Sequence, residues 1–194
     1  MGKIFVILGK SASGKDTIFH EIIRKCPDLN QVILYTTRPK RKGETNGKEY
    51  YFCTQESMSE FERNGKIIEL RKYDTVHGPW YYFTADDGQI LLEEKDYLMI
   101  STLEGFEKIR DYFGKGQVVP LYIVLDDFER IHRSLARESR QNTPCVAEVC
   151  RRFLADESDF SKERIEKAGI DVSYPNNNLE HCVNEIISTV NNAR

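Results

Sequence analysis

"IFVILGKSASGKDT", residues 4–17, decides how the rest of the chain is read. Its first five residues are apolar and rich in β-branched side chains, with none of the polar alternation of a strand that faces water on one side. Such a run fits a strand buried on both faces of a parallel sheet. Downstream, Ile18, Ile22 and Cys26 recur at the spacing of one helical face, and Pro27 ends the pattern. Between strand and helix lie Gly9, Lys10, Ser11, Ala12, Ser13, Gly14, Lys15, Asp16 and Thr17, which spell GxxxxGK with an aspartate where the phosphate-binding motif carries a hydroxyl. In this setting loop N–H groups converge on phosphate oxygens, the helix N-terminus adds partial positive charge and Lys15 adds a full one. A glycine turn beside a surface lysine is the competing reading, and the strand before and helix after the motif favour the phosphate loop. A carboxylate at Asp16 repels phosphate unless a metal ion lies between them. Thr17 supplies a hydroxyl one residue later, so Asp16 and Thr17 are both candidate magnesium ligands.

The chain has 194 residues, 40% apolar and 30% charged, a balance expected of one soluble globular domain. A formal net charge of -3 gives no basic excess, which argues against a nucleic-acid polymer as main partner. Cys26, Cys53, Cys145, Cys150 and Cys182 are scattered without a CxxC pair, the pattern of reduced thiols in the cytoplasm. No signal peptide or apolar run of membrane-spanning length is visible, so no membrane partner is expected. Further strands are expected at 31–35, 97–100, 118–125 and 170–174, and helix starts at Ser101 with Glu104 and at Asp126 with Glu129. This alternation predicts an α/β fold, three layers deep, around a central parallel sheet. Residues 36–84 are rich in Gly, Tyr and charge, with strand-like pieces at 50–53 and 66–70 and a short helix from Ser57. They read as a small mixed β-rich insertion beside a core made of 1–35, 85–130 and 150–194.

Directly after the second expected strand comes "TTRPKRKGETNGKEYYF", residues 36–52. By composition alone Arg38, Lys40, Arg41, Lys42 and Lys48 make a solvated basic turn. Their order, TTR.pR.GE.nG..Y.F, together with the loop at Gly9, resembles the guanylate kinases, and the likeness extends more weakly over essentially the whole chain. It implies a P-loop nucleoside monophosphate kinase whose insertion grips the phosphate of an acceptor nucleotide, a role that falls to Arg38, Arg41, Tyr50 and either Tyr81 or Tyr82. Guanidinium forks bind phosphate in bidentate fashion, and phenols donate without adding charge. Glu69, in "KIIEL", matches the family's guanine-reading glutamate; without the likeness it reads as a solvent-facing strand carboxylate. A carboxylate can accept from both N1–H and the 2-amino group of guanine, whereas adenine has an acceptor at N1 and no 2-amino group. The wrong base then leaves a charge unpaired. Thr84 stands where a family hydroxyl contacts the acceptor. The chain departs from the family at Leu34, in place of a hydroxyl, at Ile100 and Thr102, in place of aspartates, and at Phe83, in place of glycine.

Between Lys115 and Lys162 there is no lysine, yet Arg130, Arg133, Arg137, Arg140, Arg151 and Arg152 occur, the first four on one helical face. Solvent does not distinguish arginine from lysine, whereas a bidentate phosphate site does. The resemblance places lid arginines over the donor phosphates at Arg133, Arg137 and Arg152, with Arg151 able to exchange with Arg152, on a helical lid at about 131–149 that closes over both nucleotides. These arginines and Lys15 are the expected catalytic charges. In "SYPNNNLE", Asn176 matches a residue that lies against adenine, a plain asparagine turn being the competing reading. His20, His77, His132 and His181 form no cluster and are expected to be structural or exposed. The resemblance thus implies ATP and magnesium as cofactors and GMP as acceptor, with the oligomeric state open. Two rivals are a related P-loop kinase acting on another nucleotide or a sugar phosphate, and a non-catalytic module that binds a phosphopeptide. Such modules typically lose the loop that Gly9, Gly14 and Lys15 retain.

Overall fold

The computed structural model describes every residue except Lys42, Val76 and His77, so the basic-loop role expected of Lys42 and the structural or exposed role of His77 lie outside the described residues. The chain runs β1 (Ile4–Leu8), α1 (Lys15–Lys25), β2 (Asn30–Gln31), β3 (Tyr35–Thr36), β4 (Tyr51–Phe52), α2 (Gln55–Arg63), β5 (Ile67–Thr75) and β6 (Gly78–Ala85). It continues through β7 (Tyr97–Ile100), α3 (Leu103–Phe113), β8 (Val118–Val124), α4 (Asp127–Glu138), α5 (Val146–Asp159), α6 (Lys162–Lys167), β9 (Ser173–Pro175) and α7 (Leu179–Ala193).

Every residue of β1 is excluded from solvent because the strand is central, with β7 on one side and β8 on the other, in the parallel order β2-β7-β1-β8-β9. Its side chains alternate between two cores, as the pleat requires. Phe5 and Ile7 pack with Ile18 and Ile22 of α1 and with Val183 and Ile186 of α7. Ile4, Val6 and Leu8 pack with Leu103, Phe106 and Ile109 of α3 and with Phe160 and Ile170. Two helical layers therefore enclose one sheet, and the β1–α1 loop opens at the carboxyl end of the central strand, where ligands bind in open α/β sheets.

The insertion builds a second, mixed sheet in the order β4-β3-β6-β5, with β5 and β6 as an antiparallel hairpin. Between Ile67 and Glu69 the register shifts by a bulge, which sends Ile67 to the small core under α2 and Ile68 to the main core.

Local competition for hydrogen bonds explains where the structure differs from expectation. The strand expected at 31–35 divides between the two sheets, because Gln89 Oε1 takes the Ile33 amide at 2.9 Å and ends the ladder. The α3 cap is Thr102 rather than Ser101: the Ser101 amide still donates to Ile7 O at 3.1 Å, and Thr102 Oγ1 accepts from Gly105 at 3.1 Å. Asp126 caps α4 as expected, while Glu129 turns to Arg133 instead of closing a capping box. Helix α2 begins at Gln55, before Ser57, because Thr54 accepts the Ser57 amide. The last strand begins at Ser173, since the Ile170 amide is used by Ile165 O. The lid limits at 131 and 149 fall inside α4 and α5.

The arginine row is not one surface. Arg130 is 1% exposed and lies beneath the phosphate loop. Its guanidinium donates to Ser11 O at 3.2 Å, Asp156 Oδ2 at 3.0 Å, Glu157 Oε1 at 3.2 Å and also to Asp127, and it lies over the Phe153 ring. Replacing Arg130 by methionine strands Asp156 and Glu157 against the loop. It is expected to cost roughly 3 kcal/mol, lowering the melting temperature by about 6–12 °C in a thermal denaturation experiment.

Candidate active site

The loop that follows β1 is shaped by backbone conformations that most side chains forbid. Gly9 has φ 150, and a Cβ there would lie 2.5 Å from Ile123 O. Gly14 has φ 94, and a Cβ would overlap Asn176 Nδ2. Between them Ala12 is left-handed at φ 60, which costs a residue with a Cβ roughly 1–2 kcal/mol. Positive φ at these three places lets the chain curl into a loop of the kind that forms an anion nest, with the Ser13 amide bonded to Lys10 O at 3.3 Å. Ser13 Oγ is buried there without a partner among the described residues, a spare donor in the loop. The Ser11 amide is held by Asp156 Oδ2 at 2.7 Å, and Lys10 Nζ by both Glu157 oxygens at 2.6 Å, so α5 is tied to the loop.

Lys15 Nζ donates to Gly9 O at 2.6 Å and Lys10 O at 2.8 Å. Burial lowers its pKa from 10.5 to about 8, against the pull of Asp16 and Asp156. The unfolded chain binds the extra proton between those values, so the shift costs the free protein stability below pH 8 and the cost is withdrawn as pH rises toward 10.5. Bound phosphate favours the ammonium form. Triphosphate affinity is therefore expected to be flat below about pH 8 and to weaken above it, approaching about tenfold per pH unit. Calorimetric titrations at pH 7 and 9.5 would check this, and Lys15→Met should abolish the dependence.

Strand alternation on the β5–β6 hairpin settles which tyrosine faces the insertion's pocket. Tyr82 pairs with Arg71 and Thr84 with Glu69, and all four share one face. Tyr82 meets Tyr50 ring to ring at 5.6 Å. Tyr81, the other candidate, turns to the opposite face and packs on the cluster of Met58 and Phe83; the hairpin's two-residue period assigns it there. Arg38 is 4% exposed, lies 5.5 Å from the centroids of both Tyr50 and Phe52, and forks onto Glu44 through contacts of 2.9 and 2.7 Å. That bond holds the Glu44 carboxyl down at about 2. Glu44 also accepts the Arg41 amide at 2.7 Å, and the Arg41 side chain is exposed. Burial, together with the nearby Tyr82 and Asp16, pushes the Tyr50 phenol up. Asp16 is the neighbour of Lys15, so Tyr50 lies within electrostatic range of the loop that follows β1.

At the other end of this pocket Glu69 is 1% exposed. It accepts from Thr84 Oγ1 at 3.0 Å and from the Arg71 fork at 3.0 and 3.1 Å. Burial opposes the charge of Arg71 and Glu69 more than restores it, so the pKa of Arg71 is raised. Leu34 and Ile100 pack on the main core, and Thr102 is spent as a helix cap. Phe83 is buried in the insertion's own core.

The arginines expected on a lid sit close to the loop but engage different partners. Arg133 Nη1 lies 3.9 Å from the position of a Cβ on Gly14, and its Nε donates to Glu129 at 2.9 Å. Arg137 is near enough to lower the Lys15 pKa. Arg137 and Arg152 line one cleft with Ser11, Glu148 and Asp156. Arg151 and Arg152 both pair with Glu148, and Arg152 is the one that faces the cleft. Asn176 Nδ2 donates to Ser13 O at 2.8 Å, so that nitrogen supports the phosphate loop. Sequence reasoning gave no role to Glu44, Arg71, Asp156 or Glu157. For Arg71 the signal was its two-residue spacing from Glu69; for Asp156 and Glu157 local sequence held none.

Asp16 and Thr17 are exposed in the first turn of α1, and their side chains make no hydrogen bond among the described residues. Hard oxygen donors free beside a phosphate nest fit magnesium, which commonly takes one or two protein ligands together with phosphates and water. No larger group of His, Cys, Asp or Glu forms a metal cage among the described residues.

A family model described as "Guanylate kinase" matches residues 1–192. The guanylate kinase of Geobacter sulfurreducens is 28% identical over 194 residues, spanning 97% of this chain and 88% of that protein. That of Caldanaerobacter subterraneus subsp. tengcongensis is 30% identical over 153 residues, 78% of this chain and 70% of that protein. A crystal structure of guanylate kinase from Anaplasma phagocytophilum superposes with a TM-score of 0.69 over 98% of this chain and 85% of that one, at 21% identity, which shows a shared α/β P-loop kinase fold. With a match running through both the phosphate loop and the insertion, the chain belongs to the guanylate kinase family.

Proposed function

We propose that this protein transfers the γ-phosphoryl group of ATP to GMP, giving ADP and GDP, in the cytoplasm. The observation that carries the reading is the buried Glu69 carboxylate on the same face of the insertion as Tyr82, which meets Tyr50 and through it Arg38, within electrostatic range of the loop bearing Lys15. Loop amides and Lys15 hold the donor phosphates, and Arg38, Arg41, Tyr50 and Tyr82 hold the acceptor phosphate. Glu69 and Thr84 read the base. Arg133, Arg137 and Arg152, carried on α4 and α5 as the moving cover, meet the charge that spreads over the transferring group. Phosphoryl transfer through a loose transition state needs positioning and positive charge more than a strong base, so a histidine is not required. Magnesium, held through Asp16 or Thr17 when bound, would neutralise phosphate charge. Asn176 supports the donor site through the loop.

A coupled assay with ATP, Mg²⁺ and a panel of nucleoside monophosphates and sugar phosphates tests this. GMP is expected to be the preferred acceptor. Preference for another acceptor would move the chain to a related kinase activity, and absence of turnover with every acceptor would favour a binding module.

A further inference from the structure

Glu69 does not stand alone at the base end of the pocket. Glu69 and Arg71 lie two residues apart on β5, so both project from the same face. Arg71 Nε donates to Glu69 Oε2 at 3.0 Å and Nη2 to Oε1 at 3.1 Å, while Thr84 adds a bond to Oε1 at 3.0 Å. A carboxylate has about four acceptor positions, and three are thus in use. The Thr84 hydroxyl can rotate away without disturbing the ion pair. That frees a second position for the two that N1–H and the 2-amino group of guanine require.

Guanine also presents O6, an acceptor, which a carboxylate cannot satisfy. Leu34 carries no donor and packs on the core, and Ile100 likewise. The guanidinium of Arg71 has five hydrogens; its fork uses two, and neither Nη1 hydrogen has a partner among the described residues. Its side chain is 17% exposed, and Nη1 keeps access to solvent, so this donor is open to a ligand beside the base-reading carboxylate. Resting on the reading of GMP as acceptor, we propose that Arg71 is a specificity-determining residue. It donates to guanine O6, so that the Glu69–Arg71 pair reads the donor and acceptor halves of the base edge together. An ion pair of this kind also presents no net charge to a neutral base.

The test compares kcat/KM for GMP, for 6-thio-GMP, whose sulfur is a weak acceptor, and for IMP, which lacks only the 2-amino group. It uses the intact protein and the variants Arg71→Met and Arg71→Lys. Loss of a charged donor is expected to lower kcat/KM for GMP about 10- to 100-fold and to change 6-thio-GMP little, so the GMP to 6-thio-GMP ratio collapses while the GMP to IMP ratio, set by Glu69, persists. Lysine keeps the pairing with Glu69 but has no second nitrogen beyond it. That variant is expected to fold even where methionine does not, and to show the same collapse. An unchanged 6-thio ratio would overturn the proposal, as would equal loss of both ratios, which would mean that Arg71 only holds Glu69 in place. If the unaltered protein uses another acceptor and ignores GMP, the reading of the acceptor has failed and this inference falls with it. Intact GMP turnover with an unresponsive 6-thio ratio removes this inference alone.

Discussion

Lys15→Met is expected to lower kcat by about 10³-fold while leaving GMP binding within about a factor of two, since that residue lies outside the insertion that carries the proposed acceptor contacts. The ammonium group bonds the Gly9 and Lys10 carbonyls from inside the loop that follows β1, so a triphosphate would meet a charge already in place. Arg137 and Arg130 are near enough to influence Lys15, yet Arg130 is consumed by Asp127, Asp156 and Glu157. Methionine removes the charge together with its burial cost. The variant should therefore melt no lower than the parent at neutral pH, and loss of activity with undiminished stability would isolate the charge as the cause. Single-turnover kinetics beside equilibrium GMP titration would check it. Activity retained within tenfold would shift the burden to the lid arginines.

What the sequence made legible was local. The buried strand at 4–8, the loop after it and the Asp126 cap each depend on neighbours within a few residues, and each stands in the structure as expected. Long-range competition was not legible. The strand at 31–35 is divided by a side chain 56 positions away, Gln89. Arg130 left the arginine row because its partner Asp156 lies 26 positions on, on another helix. Asn176 matched a position against adenine by its local motif, yet its amide nitrogen is bound to a loop carbonyl 163 positions away. The acceptor pocket falls between these extremes. Its arginines and Glu69 came from a motif, whereas the choice of Tyr82 over Tyr81 needed the register of β6 against β3 and β5. Alternation from Glu69 onward could have drawn Arg71 into the pocket, but a one-residue bulge beside Glu69 hides the phase from any count begun at Ile67.

Glu69→Gln is expected to reduce kcat/KM for GMP by about 10³-fold while leaving KM for ATP nearly unchanged. The amide that replaces the carboxylate has one acceptor oxygen, and that oxygen faces competing claims from the Arg71 fork, the Thr84 hydroxyl and two guanine donors. Its NH₂ end must meet another donor, either the guanidinium or the base. Two charge-assisted hydrogen bonds to guanine are weakened or lost, at about 2 kcal/mol each, and about 4 kcal/mol corresponds to roughly three decades in the rate ratio. Arg71 also loses the carboxylate that compensates for its burial, so the variant should melt below the parent, opposite in sign to Lys15→Met. A poor acceptor such as AMP gains nothing from the carboxylate, so its kcat/KM should hardly move and discrimination should collapse toward the AMP level. A loss on GMP smaller than tenfold, measured in the coupled assay with a folded variant, would mean that the base is read elsewhere and that the Glu69–Arg71 pair serves the hairpin rather than the substrate.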